Sequence, residues 1–131
     1  MERREVNPWA WSVEMGFHQA VEVTSSDRTL YCSGQTSVDE NGTPLHPGDM
    51  VAQLNQAVDN LEAVLADAGM TLENVVRLNL YTTDVDALFG ALEETGQRVA
   101  EAGLKQCGTL LGVQRLAFPE LMIEIEATAV A

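Results

Sequence analysis

Two glutamates near the end of the chain have a spacing that suits acid–base chemistry. Glu124 and Glu126 lie in a segment where polar residues alternate with Leu121, Ile123, Ile125, Ala127 and Ala129. Alternation with a period of two is typical of a half-buried strand, so both carboxylates share the face that points away from the core. A carboxylate in a cleft can take a proton from water or pair with a ligand amine. The alternative is a carboxylate that is solvated or paired with Arg77 or Arg115 of a neighbour.

Other chemistries lack the residues they require. His18 and His46 are far apart and stand in no cluster with metal-ligand spacing, so we expect no metal site. Ser33 has no local base for a Ser-His-Asp arrangement. Gly34 and Gly42 lack the strand–turn–helix context of a nucleotide-binding loop. We therefore expect no cofactor.

The elements that must position the glutamates predict a single α+β domain spanning residues 1–131, with residues 1–8 loose. Strands are predicted over 17–24, 29–33, 73–81, 109–116 and 121–129. One helix runs from an Asp49 cap to Gly69 and a second from an Asp84 cap to Gly103. This order predicts a mixed sheet with both helices packed on one face. Val76, Leu78 and Leu80 are expected to point inward.

Several short motifs occur in an order typical of a known family. They are Ser33-Gly34-Gln35, Gln53 followed by Asp59-Asn60-Leu61, Ala68-Gly69, Val75-Val76-Arg77, Thr83-Asp84, and Arg115-Leu116 before Glu124-Ile125-Glu126-Ala127. From about residue 14 to the end, the chain resembles the Rid (YjgF-type) family, the reactive intermediate deaminases. The resemblance implies a chorismate-mutase-like fold that forms a homotrimer with clefts between subunits. Trimer formation would also cover the second face of the sheet, with Met122, Thr128 and Tyr81.

The resemblance also implies the site. Glu124 matches the family's cleft glutamate, which positions water or substrate, and is the candidate catalytic residue. An ungapped count from Asp84 puts Gly108 where archetypal members have the arginine that holds the substrate carboxylate, and Leu92 where an asparagine is common. The cleft should therefore be roomy and apolar, and favour a neutral or cationic ligand over a small amino-acid-derived acid. The predicted substrate-binding residues are Ser33, Gly34, Gln35, Tyr81, Leu92, Gly108, Thr109, Leu110 and His18.

Two classes of function remain open. In one, the chain hydrolyses an imine or enamine through Glu124 and water. In the other, it is a non-catalytic trimer that binds a small molecule or protects against one.

Composition limits the partners. The formal net charge is −13 with only seven Lys and Arg residues, which disfavours nucleic acid and with it a ribonuclease. No apolar run is long enough to span a membrane, and the charged N-terminus lacks the apolar core of a signal peptide, so we expect a cytoplasmic location. Cys32 and Cys107 are then expected to stay reduced.

Overall fold

Seven strands and three α-helices follow one another in the computed structural model, which describes residues Met1–Ala131. A single 3₁₀ turn at Leu72–Asn74 leads into the fifth strand. The elements are β1 (Glu2–Val6), α1 (Trp11–Glu14), β2 (Ala20–Thr24), β3 (Thr29–Tyr31), β4 (Gln35–Thr36), α2 (Met50–Asp67), β5 (Val75–Thr82), α3 (Val85–Glu101), β6 (Leu110–Gly112) and β7 (Ile123–Val130).

The main sheet is mixed, as the sequence predicts. Its five strands run in the order β3-β7-β5-β6, and β4 also pairs with β7. β7 is antiparallel to β3, β4 and β5, whereas β5 and β6 are parallel. A parallel pair needs a crossover connection, and α3 provides it. β7 is therefore central in the sheet, and hydrogen bonds to neighbouring strands hold it on both sides.

The alternation in β7 appears as two faces of different burial. Ile123, Ile125 and Ala127 are at most 4% exposed, whereas Glu124 and Glu126 are half-buried on the opposite face. The inward residues form one core with buried residues of α2 and α3. Removing these apolar side chains from water is the main force that holds the helices against this face.

Both predicted helix caps are present. The Asp49 carboxylate accepts from Ala52 N and the Asp84 carboxylate from Ala87 N, each at 3.0 Å. Each bond satisfies one of the N–H groups that a helix start leaves unpaired. The chain leaves the helices at Gly69 and Gly103, whose φ angles of +74° and +89° suit glycine.

The structure corrects the predictions of the strand bounds, of the N-terminal segment and of β5, and the predicted strands over 29–33 and 109–116 are shorter, at Thr29–Tyr31 and Leu110–Gly112. Residues 1–8 are not loose throughout, because β1 pairs with β2 in a separate two-stranded sheet, and Arg3 Nη1 donates to Glu73 O at 2.9 Å. In β5, a bulge between Val75 and Arg77 shifts the register, so Val75 rather than Val76 is fully buried. Strict alternation could not place this extra residue.

No helix combines the length and the apolarity that a membrane crossing would require.

Candidate functional site

The predicted site residues fall into two groups that do not meet within one chain. Leu92, Gly108, Thr109 and Leu110 line a cavity on the helix side of the sheet. Glu124 and Tyr81, which face each other across β7 and β5, lie on the opposite face, and residues 33–35 lie beside Glu124. The division follows strand alternation in β5, where Leu80 lines the cavity and the next residue, Tyr81, lies on the opposite face.

The cavity has a volume of about 330 Å³ and lies between α3, the β5–β6 edge and residues 15–17. None of its 15 lining residues is charged, and 10 are hydrophobic. The lining consists of Met15, Gly16, Phe17, Leu78, Leu80, Phe89, Leu92, Gly96, Val99, Ala100, Leu104, Gln106, Gly108, Thr109 and Leu110. The cavity can therefore bury apolar surface, and only Gln106 and Thr109 offer polar side chains to a ligand.

Gly108 lies where the backbone leaves no room for a side chain. A Cβ at this position would be 1.8 Å from Leu78 O, far inside any contact distance. The approach is fixed by hydrogen bonds on both sides, from Leu78 N to Cys107 O at 2.9 Å and from Leu80 N to Thr109 O at 2.8 Å. No cation can stand at position 108 unless the β5–β6 pairing moves.

His18 does not line the cavity but anchors the segment that does. Its backbone N donates to Gln106 O at 2.8 Å, and Gln106 Nε2 donates to Gly16 O at 3.1 Å. Gln19 N donates to Asn7 Oδ1, so Asn7 Nδ2 is left to donate to His18 Nδ1 at 2.9 Å. Within one chain His18 therefore has a structural role, and a contact between His18 and a ligand stays a prediction.

Of the two glutamates on β7, Glu124 is the one without a partner in the chain. No group of the chain donates a hydrogen bond to its side chain, and it forms no ion pair with Arg77 or Arg115. Gly34 makes room for it, because a Cβ there would lie 2.6 Å from Glu124 Cδ. A half-buried carboxylate without a partner is available to a ligand or a water molecule.

Glu126, in contrast, accepts two side-chain hydrogen bonds within the chain. Tyr81 Oη and Asn79 Nδ2 both donate to Glu126 Oε1. These bonds, with that of Tyr81 the larger cause, lower the pKa of Glu126, and the same contact raises the pKa of Tyr81. Asn79 Oδ1 also accepts from Thr109 N at 3.1 Å, which connects this cluster to the cavity wall. Tyr81 thus supports Glu126 rather than reaching into the cavity.

Sequence reasoning missed most of the cavity wall. Phe89, for example, is 48% exposed at the cavity, whereas Leu88, Ala91 and Thr95 of the same helix are buried. Gly96 was a sequence signal for this cavity, because a glycine inside a helix weakens the helix and often has a packing reason. No group of three or more residues that could ligate a metal lies together.

Comparison with known proteins gives consistent matches. The family model described as endoribonuclease L-PSP matches residues 10–131. A mouse 2-iminobutanoate/2-iminopropanoate deaminase is 35% identical over 87% of this chain and 80% of its own length. The crystal structure of YyfB from Yersinia pestis, a Rid-family protein of unknown function, is 40% identical, covers both chains completely and has a TM-score of 0.88. The yjgF gene product of E. coli is 26% identical over 87% of each chain, with a TM-score of 0.69.

Proposed function

This chain belongs to the endoribonuclease L-PSP family, also called the Rid family, and we propose that it binds a small organic molecule in clefts between the subunits of a homotrimer. In each cleft, Glu124 and a water molecule would hydrolyse an imine or enamine.

One observation carries this proposal: the unpaired carboxylate and the apolar cavity lie on opposite faces of one sheet. The two parts complement each other, since the cavity has no charged residue and Glu124 does not line it. A neighbouring copy could bring its Glu124 to the cavity of the first. The closed symmetry common among homo-oligomers would then repeat this contact at every interface.

The second face of the sheet also supports self-association. Tyr31, which pairs with Thr128, is 81% exposed in the single chain, and Leu111, which pairs with Tyr81, is 48% exposed. Exposed apolar side chains of this size are typical of an interaction surface when they share one face. A second copy would remove them from water.

The proposed chemistry uses one proton acceptor. Glu124 takes a proton from water while the water oxygen bonds to the imine carbon and the C=N electron pair moves to nitrogen. Glu124 then gives this proton to the nitrogen, which leaves a neutral carbinolamine. In the second step the carbinolamine hydroxyl proton passes through Glu124 to the nitrogen while the C–N bond breaks, which releases ammonia and the carbonyl product. A general base held beside the reacting water typically contributes about 10²–10⁴-fold to the rate.

The alternative is a trimer that binds a small molecule without turning it over. The uncharged cavity favours it, because no cation there could polarise a bound imine. Ribonuclease activity, which the family description names, finds no support in seven Lys and Arg residues within a chain of net charge −13.

The test compares Glu124→Gln with Glu94→Gln, which makes the same charge change on the exposed side of α3. The substrate is the imine released when an amine oxidase acts on 2-phenylethylamine, and stopped-flow ammonia release is the readout. We expect acceleration by the wild type and by Glu94→Gln but not by Glu124→Gln.

Binding of 2-phenylethylamine, measured by calorimetry, should weaken roughly tenfold or more in Glu124→Gln, since a buried charged hydrogen bond is lost. Binding without any acceleration would select the non-catalytic alternative. If Glu124→Gln changes neither quantity, the assignment of Glu124 is wrong.

A further inference from the structure

We propose that the cavity beside α3 receives a bulky, uncharged apolar group of the bound molecule, such as an aryl group, and that Gly96 determines the largest group it admits. This inference rests on the proposed function, in which the polar end of the same molecule meets Glu124 of a neighbouring copy.

The size of the cavity is the first argument. Its volume of about 330 Å³ lies within the range of roughly 300–1,000 Å³ that is typical of small-molecule pockets. A phenyl ring on a two-carbon linker fits in this space. A three-carbon imino acid would leave much of it unfilled, and an apolar cavity gains little from holding water.

The lining is the second argument. Phe17, Phe89, Leu92 and Val99 form aromatic and aliphatic walls, and no lining residue is charged. Phe17 is held in place by an edge-to-face contact with Trp11, with ring centroids 5.7 Å apart. Burying a carboxylate here would remove its hydration without supplying a cation, which is strongly unfavourable. An apolar group meets no such cost.

The backbone at Gly108 leaves no room for a cationic side chain that could bind a carboxylate. Because a Cβ would overlap Leu78 O, position 108 cannot carry any cationic side chain in this geometry. The β5–β6 pairing itself therefore disfavours the binding of carboxylic acids.

Gly96 keeps the cavity open on the α3 side. A Cβ at Gly96 would meet no atom within 4 Å, so its neighbourhood is free space. Glycine is unfavourable inside a helix relative to alanine, and here it leaves that space unfilled. Gly90 is the matched control, because it lies in the same helix, is also free of contacts and does not line the cavity.

The first experiment is a calorimetric series with 2-phenylethylamine, ethylamine and phenylalanine. 2-Phenylethylamine has the amine and the aryl group, ethylamine lacks the aryl group, and phenylalanine adds a carboxylate. We expect 2-phenylethylamine to bind at least about tenfold tighter than either of the others, because burying a phenyl group is worth that factor or more.

The second experiment repeats the series on Gly96→Leu and Gly90→Leu. In Gly96→Leu the preference for 2-phenylethylamine over ethylamine should fall below about threefold, whereas Gly90→Leu should keep it. If Gly96→Leu does not fold, Gly96→Ala replaces it, since a single methyl group fits the free space, and the preference should then fall part of the way.

Separate results contradict the assignment of the cavity to an aryl group and the proposed role of Glu124. If ethylamine and 2-phenylethylamine bind alike, or phenylalanine binds best, while Glu124→Gln still weakens binding, the cavity assignment is wrong and the proposed function stands. If the aryl preference and its loss in Gly96→Leu are found but Glu124→Gln has no effect, the proposed function is wrong. Absence of binding by all three compounds contradicts both.

Discussion

Gly108 lies where the backbone leaves no room for a side chain, because a Cβ there would be 1.8 Å from Leu78 O. The resemblance predicts that archetypal family members have an arginine at this position. We expect Gly108→Ala to lower the free energy of unfolding by about 1–3 kcal/mol through overpacking, measured by urea denaturation. Gly90→Ala in α3 should instead raise it slightly, by at most about 1 kcal/mol.

The same geometry predicts that arginine cannot simply be restored. The wild type should scarcely accelerate hydrolysis of 2-iminopropanoate, and Gly108→Arg should be destabilised without gaining that activity. A stable Gly108→Arg protein that hydrolyses 2-iminopropanoate efficiently would show that the β5–β6 edge adapts more easily than its hydrogen bonds indicate.

The Tyr81–Glu126 pair predicts a pH dependence of stability. Its bond lowers the pKa of Glu126 below the ordinary 4.5 and raises the pKa of Tyr81 above 10.0. The contribution of Glu126 is therefore present above pH 4.5 and lost as the pH falls through its folded-state pKa. That of Tyr81 is present below pH 10.0 and lost as the pH rises through its raised value.

Tyr81→Phe should consequently lower the urea midpoint at neutral pH, and the difference from wild type should shrink as the pH falls below 4.5. Tyr31→Phe, which changes an exposed tyrosine without hydrogen bonds, is the control. An equal difference at neutral pH and below pH 4.5 would mean that the hydrogen bond to the Glu126 carboxylate is not its source.

At the scale of elements, Gln53 fixes the start of the strand that carries Glu124. This fully buried residue of α2 donates to His46 O at 3.0 Å and to Glu120 O at 2.8 Å, and it accepts from Met122 N at 2.8 Å. Gln53→Met keeps the volume but leaves these backbone groups without partners. We expect a loss of about 1–3 kcal/mol in urea denaturation and weaker amine binding.

Gln97→Met, on the exposed side of α3, is the control for Gln53→Met and should be nearly neutral. If Gln53→Met is equally neutral, the loop before α2 and the start of β7 are held by other contacts.

The sequence predicted those elements whose signal is local. The alternation in β7, the caps at Asp49 and Asp84, and the glycines after both helices need only neighbouring residues to be recognised, and all are present. The bulge in β5 and the pairing of β1 with β2 depend on distant partners, so no local pattern revealed them. Likewise, alternation placed Glu124 correctly on the outer face, but the cavity arises only where α3, the β5–β6 edge and the N-terminal segment meet.

For the whole molecule, the first prediction is its assembly state. A homotrimer should give three times the 14.2 kDa chain mass by light scattering coupled to size exclusion. Tyr31→Asp, on the exposed face of the sheet, should shift the mass towards that of the single chain, because it would place a charge in the interface. A wild-type monomer at micromolar concentration would remove the cleft.

The central claim is that each site takes its cavity from one subunit and Glu124 from the next, and mixed trimers test it directly. Glu124→Gln and Gly96→Leu chains, carrying different affinity tags, are co-expressed and the mixed species isolated. In a cyclic trimer of both chains, one interface of three combines an intact cavity with an intact Glu124. We predict that calorimetry finds one site per mixed trimer with wild-type affinity for 2-phenylethylamine, although each parent variant binds weakly. Mixed trimers that bind no better than their parents would show that one subunit supplies both halves.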